Sequence, residues 1–218
     1  MKVLVVGATG GSGRAVVQWL LADGHDVTAF ARHADGLPAA PRLRTVNGDA
    51  MDAAAVEQAV RGHDAVVVTL GISENAIRVR LLGTGRTPLD IRSAGTLNVI
   101  TAMQRASVRK LVVQSSYGVG PTRDRLRLVD RLFFGLVLKP QIADTEKQEL
   151  AVRASGLDWV VAQPVHLTDA DDDTPPAVST TGDTMRSKVS RRGVGRLLAD
   201  AATSDAYDGK TLALSGAA

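Results

Sequence analysis

The sequence GATGGSG at residues 7–13 decides the fold of this chain. It follows the apolar run KVLVV at residues 2–6 and opens a helical pattern at residues 12–22. A glycine-rich turn between a buried strand and a helix is typical of a βαβ unit that binds a dinucleotide. Its glycines let the backbone approach a pyrophosphate, whose charge then lies at the helix N-terminus among free N–H groups. The alternative is a tight turn that binds no ligand.

Apolar runs and helical patterns alternate along the rest of the chain. The predicted strands lie at residues 2–6, 26–30, 43–46, 65–69, 110–114, 158–162 and 211–214. The predicted helices lie at residues 12–22, 52–61, 90–106, 144–155 and 190–203. Most runs are continuously apolar, which is typical of strands buried on both faces. We therefore predict an α/β fold with a doubly wound, Rossmann-like, mostly parallel sheet and helices on both faces, in three layers.

Three longer segments do not fit as simple connections between these elements. They cover residues 72–89, 118–141 and 166–188, and each follows the carboxyl end of a predicted strand. Because open α/β sheets bind ligands at that edge, we expect substrate loops there; the alternative is surface loops without a role in binding. No linker or repeat divides the chain, so we expect residues 1–218 to form a single NAD(P)-binding Rossmann domain.

The composition excludes several classes of protein. The chain has 0 Cys, which excludes a disulfide scaffold, an iron–sulfur protein and a thiol enzyme, and we expect no metal site. The formal net charge is only +3 in 218 residues, without a block of basic residues, so we expect no binding to nucleic acid. No apolar segment reaches the ~20 residues of a membrane-spanning helix, and the run at residues 2–6 is too short for a signal peptide. We therefore expect a cytoplasmic protein that binds no membrane.

The end of the second predicted strand indicates which dinucleotide binds. A site specific for NAD(H) has a carboxylate there, which binds the ribose hydroxyls. This chain instead has Arg32, whose guanidinium suits the 2′-phosphate of NADP(H). We therefore predict NADP(H) as the cofactor; the alternative is that Arg32 is only a solvated loop charge. Arg14 either assists or faces solvent on the first helix turn.

Several motifs further along the chain carry a family resemblance. They are NGD at residues 47–49, GTLN at 95–98, VVQSS at 112–116, SGLDW at 155–159 and QPVH at 163–166. Together with the glycine-rich turn, they make the chain resemble the atypical short-chain dehydrogenase/reductase superfamily. Within it, the chain is most similar to the NAD(P)H-binding, NmrA-like group that includes biliverdin-IXβ reductases, also called flavin reductases. The resemblance extends from residue 1 to about residue 209.

The glycine-rich turn and the resemblance together indicate which residues contact the cofactor. The predicted contact residues are Gly7, Thr9, Gly10, Gly11, Ser12, Gly13, Arg32, Asp49, Ala50, Leu70, Gly71, Ser115, Ser116, Pro164, Val165 and His166. The resemblance implies that the adenine lies by Asp49 and Ala50, the ribose and pyrophosphate by Leu70 and Gly71, the nicotinamide ribose by Ser115 and Ser116, and the nicotinamide by residues 164–166.

The chain lacks the Tyr-x-x-x-Lys pair that donates the proton in most short-chain dehydrogenases. Tyr117 is followed four positions later by Pro121, and Tyr207 has Lys210 only three positions on. This argues against ketone–alcohol chemistry and against a sugar-nucleotide epimerase or dehydratase. The resemblance then implies an NADPH-dependent reductase that passes a hydride to a conjugated acceptor, namely a flavin, a quinone or a biliverdin-like tetrapyrrole. The alternative hypothesis is a non-catalytic, NADP(H)-sensing, NmrA-like regulatory protein.

Ser116 and His166 are the predicted catalytic residues, because the resemblance implies a serine and a histidine beside the nicotinamide and the acceptor. A histidine can donate a hydrogen bond or relay a proton near neutral pH. The alternatives are that Ser116 only orients the carboxamide and that His166 is a loop residue without a role. Tyr117 is a second candidate donor, and Lys147 is either a basic residue of the site or a solvated charge.

The predicted loop at residues 118–141 contains an apolar stripe that is bordered by arginines. The stripe consists of Leu126, Val129, Leu132, Phe133, Leu136 and Val137. We expect it to form a wall for a small aromatic or conjugated acceptor, with Arg78, Arg80, Arg86 and the arginines at 123–131 as candidates to hold phosphate or carboxylate groups. The alternatives are core packing and a dimer contact, and we expect a monomer or a homodimer.

Overall fold

The structure is a computed structural model that describes residues 1–72, 87–125 and 139–217, apart from the side chains of residues 139 and 140. Its strands are β1 (Lys2–Val6), β2 (Asp26–Ala31), β3 (Leu43–Asn47), β4 (Ala65–Val68), β5 (Lys110–Gln114), β6 (Asp158–Pro164), β7 (His166–Thr168), β8 (Ala177–Ser179), β9 (Lys188–Ser190) and β10 (Lys210–Ser215). Its α-helices are α1 (Gly11–Ala22), α2 (Ala53–Val60), α3 (Ile91–Ala106), α4 (Lys139–Arg153) and α5 (Arg191–Thr203), and short 3₁₀ helices lie at Ala34–Gly36 and Gly120–Arg125.

The main sheet reverses its strand order beside β1. Its order is β3-β2-β1-β4-β5-β6-β10-β8, and neighbouring strands pair in parallel except β8, which is antiparallel to β10. In β1, Val6 lies opposite Phe30 of β2 on one side and Val68 of β4 on the other. The chain runs outward from β1 to β3 and then crosses back to β4. Open α/β sheets bind ligands at such a reversal, outside the carboxyl ends of the strands.

The sheet is buried on both faces, as its continuous apolar runs predict. Helices α1 and α5 cover one face, where Val5 and Val67 are fully buried. Helices α2, α3 and α4 cover the other face, where Leu4 and Val66 are fully buried. The predicted doubly wound α/β fold with three layers is therefore confirmed.

Helices α1 and α5 run side by side in the same direction. A Cβ atom on Gly195 would collide with Ala15, so the two backbones touch only because Gly195 has no side chain. One helical turn earlier, the side chain of Arg191 of α5 lies where a Cβ on Gly11 of α1 would be. The two contacts are four residues apart in both helices, so the helices are parallel. Since α1 begins at the carboxyl edge of the sheet, α5 begins there as well.

Helix α4 begins at Lys139, five residues before the predicted start at residue 144. Asp144, the first residue of the predicted helix, lies within α4 instead. Its carboxylate accepts hydrogen bonds from the backbone N–H groups of Arg92 (3.0 Å) and Ser93 (3.1 Å), in the first turn of α3. The N-cap of α3, Asp90, makes no side-chain cap bond of its own. Asp144 therefore accepts hydrogen bonds from the otherwise unpaired N–H groups at the N-terminus of a neighbouring helix.

The predicted loop at residues 166–188 contains short strands that the sequence pattern does not reveal. Strand β7 pairs in parallel with β9, so that His166 lies opposite Lys188 and Thr168 opposite Ser190. Strand β8 pairs with β10 at the edge of the main sheet. Each of these strands has only three residues, which is too short to show a periodic pattern. The pairing of β7 with β9 holds the segment that bears His166 next to the start of α5.

Candidate functional site

A cavity of about 370 Å³ lies at the carboxyl ends of β1 to β4, where the strand order reverses. Its lining contains predicted contact residues from each of these strand ends, namely Gly7, Thr9, Gly10, Arg32, Asp49, Ala50, Leu70 and Gly71. Val6, Phe30, Thr87, Pro88 and Ile91 contribute further lining. The structure thus brings the adenine, ribose and pyrophosphate parts of the predicted site together around one space.

The glycine-rich turn packs closely against the end of β4 because side chains are missing at two positions. Gly7 has a φ of +87°, a conformation that favours glycine, and a Cβ there would lie 2.9 Å from the carbonyl oxygen of Thr69. A Cβ on Gly13 would collide with the carbonyl oxygen of Gly7. The N–H of Gly7 donates to the carbonyl of Phe30 (2.9 Å), which ties the turn to β2.

The N-terminus of α1 opens beside this turn. Its N-cap is Gly10, and among the described residues no side chain caps the helix end and no acidic residue lies in its first turn. The first backbone N–H groups and the positive end of the helix dipole are therefore available to an anion. Together with Gly7, Thr9 and Gly10, which line the cavity, this arrangement fits a dinucleotide pyrophosphate.

The opposite wall of the cavity carries the predicted specificity residue. Arg32 directly follows β2, and its Nη2 donates to Oγ1 of Thr87 (3.3 Å). Asp49 is exposed at the end of β3, and its Oδ1 accepts from the N–H of Met51 (2.9 Å). A Cβ on Gly48 would collide with the ring of Phe30, so the glycine allows the end of β3 to lie against this cavity-lining ring.

The remaining predicted contact residues lie further along the same edge of the sheet, outside the lining of the cavity. They are Ser115, Ser116, Pro164, Val165 and His166, at and after the carboxyl ends of β5 and β6. Ser116 is half-buried and His166 is exposed at the start of β7. Gly11, Ser12 and Gly13, the last residues of the glycine-rich turn, form the first turn of α1 and also lie outside the lining.

Ser115 belongs to a buried polar cluster that the sequence pattern does not reveal. Its hydroxyl donates to Oε1 of Glu149, whose side chain is fully buried. The same carboxylate accepts from Nε2 of Gln163 (2.7 Å) and pairs with Arg153 (2.6 Å), and Thr122 donates to Gln163 (2.8 Å). We call Ser115, Thr122, Glu149, Arg153 and Gln163 the Glu149 network. Its carboxylate is satisfied within the protein, which is the condition for keeping a charge buried.

The other predicted site residues are either hydrogen-bonded or ion-paired within the protein, exposed, or outside the described residues. The Tyr117 hydroxyl donates to the carbonyl of Gly182 (2.9 Å), and Lys147 and Arg14 are exposed. Arg123 pairs with Glu146 (2.5 Å) and Arg125 with Asp183 (2.6 Å). The apolar stripe at 126–137, the arginines at 127 and 131, and Arg78, Arg80 and Arg86 lie outside the described residues.

A partly buried cation beside the cavity was not expected from the sequence. A Cβ on Gly71 would lie 3.2 Å from Nη2 of Arg92, so this guanidinium faces the backbone at the cavity's edge. Burial lowers the pKa of Arg92, and the nearby carboxylate of Asp144 opposes that shift. Arg92 follows Ile91 in an ordinary helical pattern, so no feature of the sequence marks it.

Comparisons with known proteins support a nucleotide-binding role for this site. A family model described as NAD(P)H-binding matches residues 7–205. A 3-diazoavenalumate denitrifying reductase from Streptomyces is 37% identical over 122 residues, which cover 53% of this chain and 38% of the relative. A 3-beta-hydroxysteroid dehydrogenase from Mycolicibacterium neoaurum is 34% identical over 125 residues, which cover 54% of this chain and 32% of the relative. The match thus spans about a third of the length of these curated relatives.

The fold also occurs among solved structures. An anaerobilin reductase from Escherichia coli O157:H7 superimposes with a TM-score of 0.77 at 21% identity, over 98% of this chain and 96% of the other. At that identity the similarity demonstrates the shared fold. Within residues 1–72, 87–125 and 139–217, no helix has the length and apolar character needed to cross a membrane.

Proposed function

The chain belongs to the NAD(P)H-binding family, and we propose that it is an NADPH-dependent reductase that transfers a hydride to a conjugated acceptor. The acceptor class is a flavin, a quinone or a biliverdin-like tetrapyrrole. Two of the similar proteins are named as reductases, which supports the reaction class. Within the family we assign the chain to the NmrA-like group with the biliverdin-IXβ reductases, on the motifs at residues 49–50, 115–116 and 163–166.

The observation that carries this proposal is the charge of the cavity wall at the end of β2. The residue after β2 is Arg32, and it lines the same cavity as Gly7 and Gly10 of the glycine-rich turn. A guanidinium in this place suits the 2′-phosphate of NADPH, whereas a carboxylate would suit the free ribose hydroxyls of NADH. We therefore assign NADP(H) as the cofactor of this site.

The residues of this chain then have to orient the two reactants and supply a proton. NADPH supplies the hydride when it is bound. We assign Ser116 to the orientation of the reactants, because the hydroxyl of its neighbour Ser115 is already donated to Glu149. We assign His166 as the donor to the acceptor, because it is exposed at the start of β7 and an imidazole can donate a hydrogen bond or relay a proton. The Tyr117 hydroxyl, which donates to Gly182, receives no role.

Binding and turnover test this proposal in two steps. Calorimetry on the purified chain is expected to show tighter binding of NADPH than of NADH. The loss of NADPH absorbance is then followed with FMN, a quinone and biliverdin in turn, and at least one acceptor is expected to be reduced. Ser116→Ala and His166→Ala are each expected to lower kcat/KM by about threefold or more. His25→Ala, at the opposite edge of the sheet, is the matched control.

The outcomes separate the two hypotheses that the sequence leaves open. Tight binding of NADPH without reduction of any acceptor would replace the reductase by an NADP(H)-sensing regulatory protein. Full activity in both variants would remove Ser116 and His166 from the site while leaving the reductase in place. Failure to bind either dinucleotide would overturn the proposed function altogether.

A further inference from the structure

Arg191 lies directly over the backbone of the glycine-rich turn, although the two are far apart in sequence. A Cβ on Gly11 would lie 2.5 Å from Cδ and 3.0 Å from Nε of Arg191. The arginine therefore occupies the space that a side chain at Gly11 would need. This position is the first residue of α1, beside the N–H groups that fit a pyrophosphate.

The packing of α5 fixes Arg191 in this position. One turn further on, Gly195 packs directly on Ala15, so the two helices cannot slide along each other without a collision. The start of α5 is held by Ser190, whose Oγ accepts from the N–H of Gly193 (2.9 Å) and donates to the carbonyl of Asp172 (2.9 Å). The guanidinium thus extends from a rigid base toward the turn.

Arg191 pairs with the solvent-exposed carboxylate of Asp169. Nη1 of Arg191 lies 2.6 Å from Oδ1 of Asp169, and the two side chains are 32% and 85% exposed. Such an exposed ion pair is weak, because solvent screens it and both side chains lose freedom. A diphosphate at the N-terminus of α1 would present charge to the same guanidinium with more acceptor oxygens.

We propose that Arg191 is a binding residue for the diphosphate of the dinucleotide and that Asp169 competes with the diphosphate for it. This inference rests on the proposed function. The diphosphate is common to NADPH and NADH, so Arg191 contributes affinity for both, whereas Arg32 distinguishes between them. Asp169 directly follows β7, which begins at His166, so release of Asp169 occurs beside the segment that bears the proposed donor.

The test compares dissociation constants for NADPH and NADH, measured by calorimetry at low ionic strength. Arg191→Ala is expected to weaken the binding of both dinucleotides by the same factor, about tenfold, because one charge-assisted contact is lost. Asp169→Asn is expected to strengthen the binding of both by about threefold, because the competing charge is gone. Arg192→Ala is the matched control, since it removes the same charge from the next position of α5, where the guanidinium stacks over Trp19 at 5.6 Å.

The Asp169 variant keeps the test decisive even if Arg191→Ala disturbs the fold, because misfolding cannot raise affinity. Unchanged binding in both Arg191→Ala and Asp169→Asn would overturn the inference and leave the proposed function intact. A loss for NADPH alone would mean that Arg191 contacts the 2′-phosphate, which also overturns it. Absence of dinucleotide binding in the unmodified chain would overturn the proposed function and this inference together.

Discussion

The two halves of the sheet's carboxyl edge differ in what their polar groups contact. At β1 to β4, residues of the glycine-rich turn line a cavity, and among the described residues no side chain caps the first N–H groups of α1. At β5 and β6, the side chains of Ser115 and Gln163 both donate to the buried carboxylate of Glu149. One half keeps backbone donors available to a ligand. In the other half Ser115 and Gln163 are already hydrogen-bonded within the protein, and among the described residues Oε1 of Gln114, at the end of β5, is buried without a partner.

This difference indicates that the two halves of the edge have different roles. A cofactor of varying occupancy needs unsatisfied donors and space, which is what the cavity half offers. The reacting groups need a support that does not move, and a satisfied buried network supplies one. Ser116 directly follows Ser115 of the Glu149 network, and His166 lies three residues after Gln163 of the same network. We therefore expect substitutions in the cavity half to change affinity and those in the network to change stability.

The largest effect, on the free energy of unfolding, is expected from Glu149→Ala, which removes the central carboxylate of the Glu149 network. The substitution leaves Arg153, Gln163 and Ser115 without their common acceptor, and loss of one partner of a buried ion pair is expected to lower the free energy of unfolding by about 3 kcal/mol. Chemical denaturation measures this value. NADPH affinity should change by less than about twofold.

Glu146→Ala is the control for this change, on the same helix. Its carboxylate pairs with Arg123, whose side chain is 56% exposed, so the loss is expected to stay below about 1 kcal/mol. If Glu149→Ala abolished NADPH binding at unchanged stability, the network would belong to the cofactor site and the division between the two halves would be wrong.

The next largest effect is expected from Gly13→Ala, which breaks the cavity half. The added Cβ would collide with the Gly7 carbonyl and lie 2.8 Å from Oγ1 of Thr69, so the turn must move. We expect NADPH affinity to fall about a hundredfold, or ~2.8 kcal/mol, measured by calorimetry. Gly36→Ala is the control, because a Cβ there meets no atom within 4 Å. Normal binding by Gly13→Ala would show that the pyrophosphate lies elsewhere.

The contrast between the halves also explains what the sequence could predict. The strand β1, the glycine-rich turn and α1 were predictable because buried parallel strands appear as continuous apolar runs, and β1 and β5 have the predicted bounds. Placing Arg32 and Asp49 at one edge followed from the same pattern, because the carboxyl ends of parallel strands share that edge. The cavity half is built from residues close to these strand ends.

The Glu149 network and the Arg191 contact could not be predicted in this way. Both depend on how helices pack onto the sheet, and they join Glu149 to Ser115 and Arg191 to Gly11 across long stretches of chain. Asp144 shows the same limit: the predicted helix begins there, but its carboxylate caps α3 from within α4. Helical periodicity identifies a buried face without identifying the residues that it meets.

A smaller effect, on selectivity, is expected from Arg32→Ala. Loss of the guanidinium at the end of β2 should weaken NADPH binding by about tenfold and leave NADH binding unchanged, because only NADPH carries a 2′-phosphate. Paired calorimetric titrations of the two cofactors measure the ratio. Arg44→Ala, an exposed arginine on β3, is the control of equal charge. A variant that kept the original preference for NADPH would remove Arg32 from the site.

The smallest effect is expected at His63, which precedes β4 at the edge of the sheet opposite the cavity and is hydrogen-bonded within the protein. Its Nε2 lies 2.8 Å from Oγ1 of Thr28, and its Nδ1 lies 3.3 Å from the carbonyl of Val60. Burial lowers the pKa of His63, with a smaller contribution in the same direction from Arg44, whereas the hydrogen bond to Val60 and the charge of Asp64 oppose the shift.

Because the pKa of His63 is lower in the folded chain, the unfolded chain takes up the proton first as the pH falls. The contribution to stability is therefore complete above the ordinary histidine pKa of about 6.5 and decreases below it. Between about pH 7.5 and pH 5.5, the Tm of the unmodified chain should fall by about 1–2 °C more than that of His63→Gln. His33→Gln, at an exposed site, should match the unmodified chain. Since His63 lies away from the cavity, this difference in Tm should persist with NADPH bound. A difference that vanished with NADPH would connect His63 to the ligand and contradict the division between the cavity half and the network half.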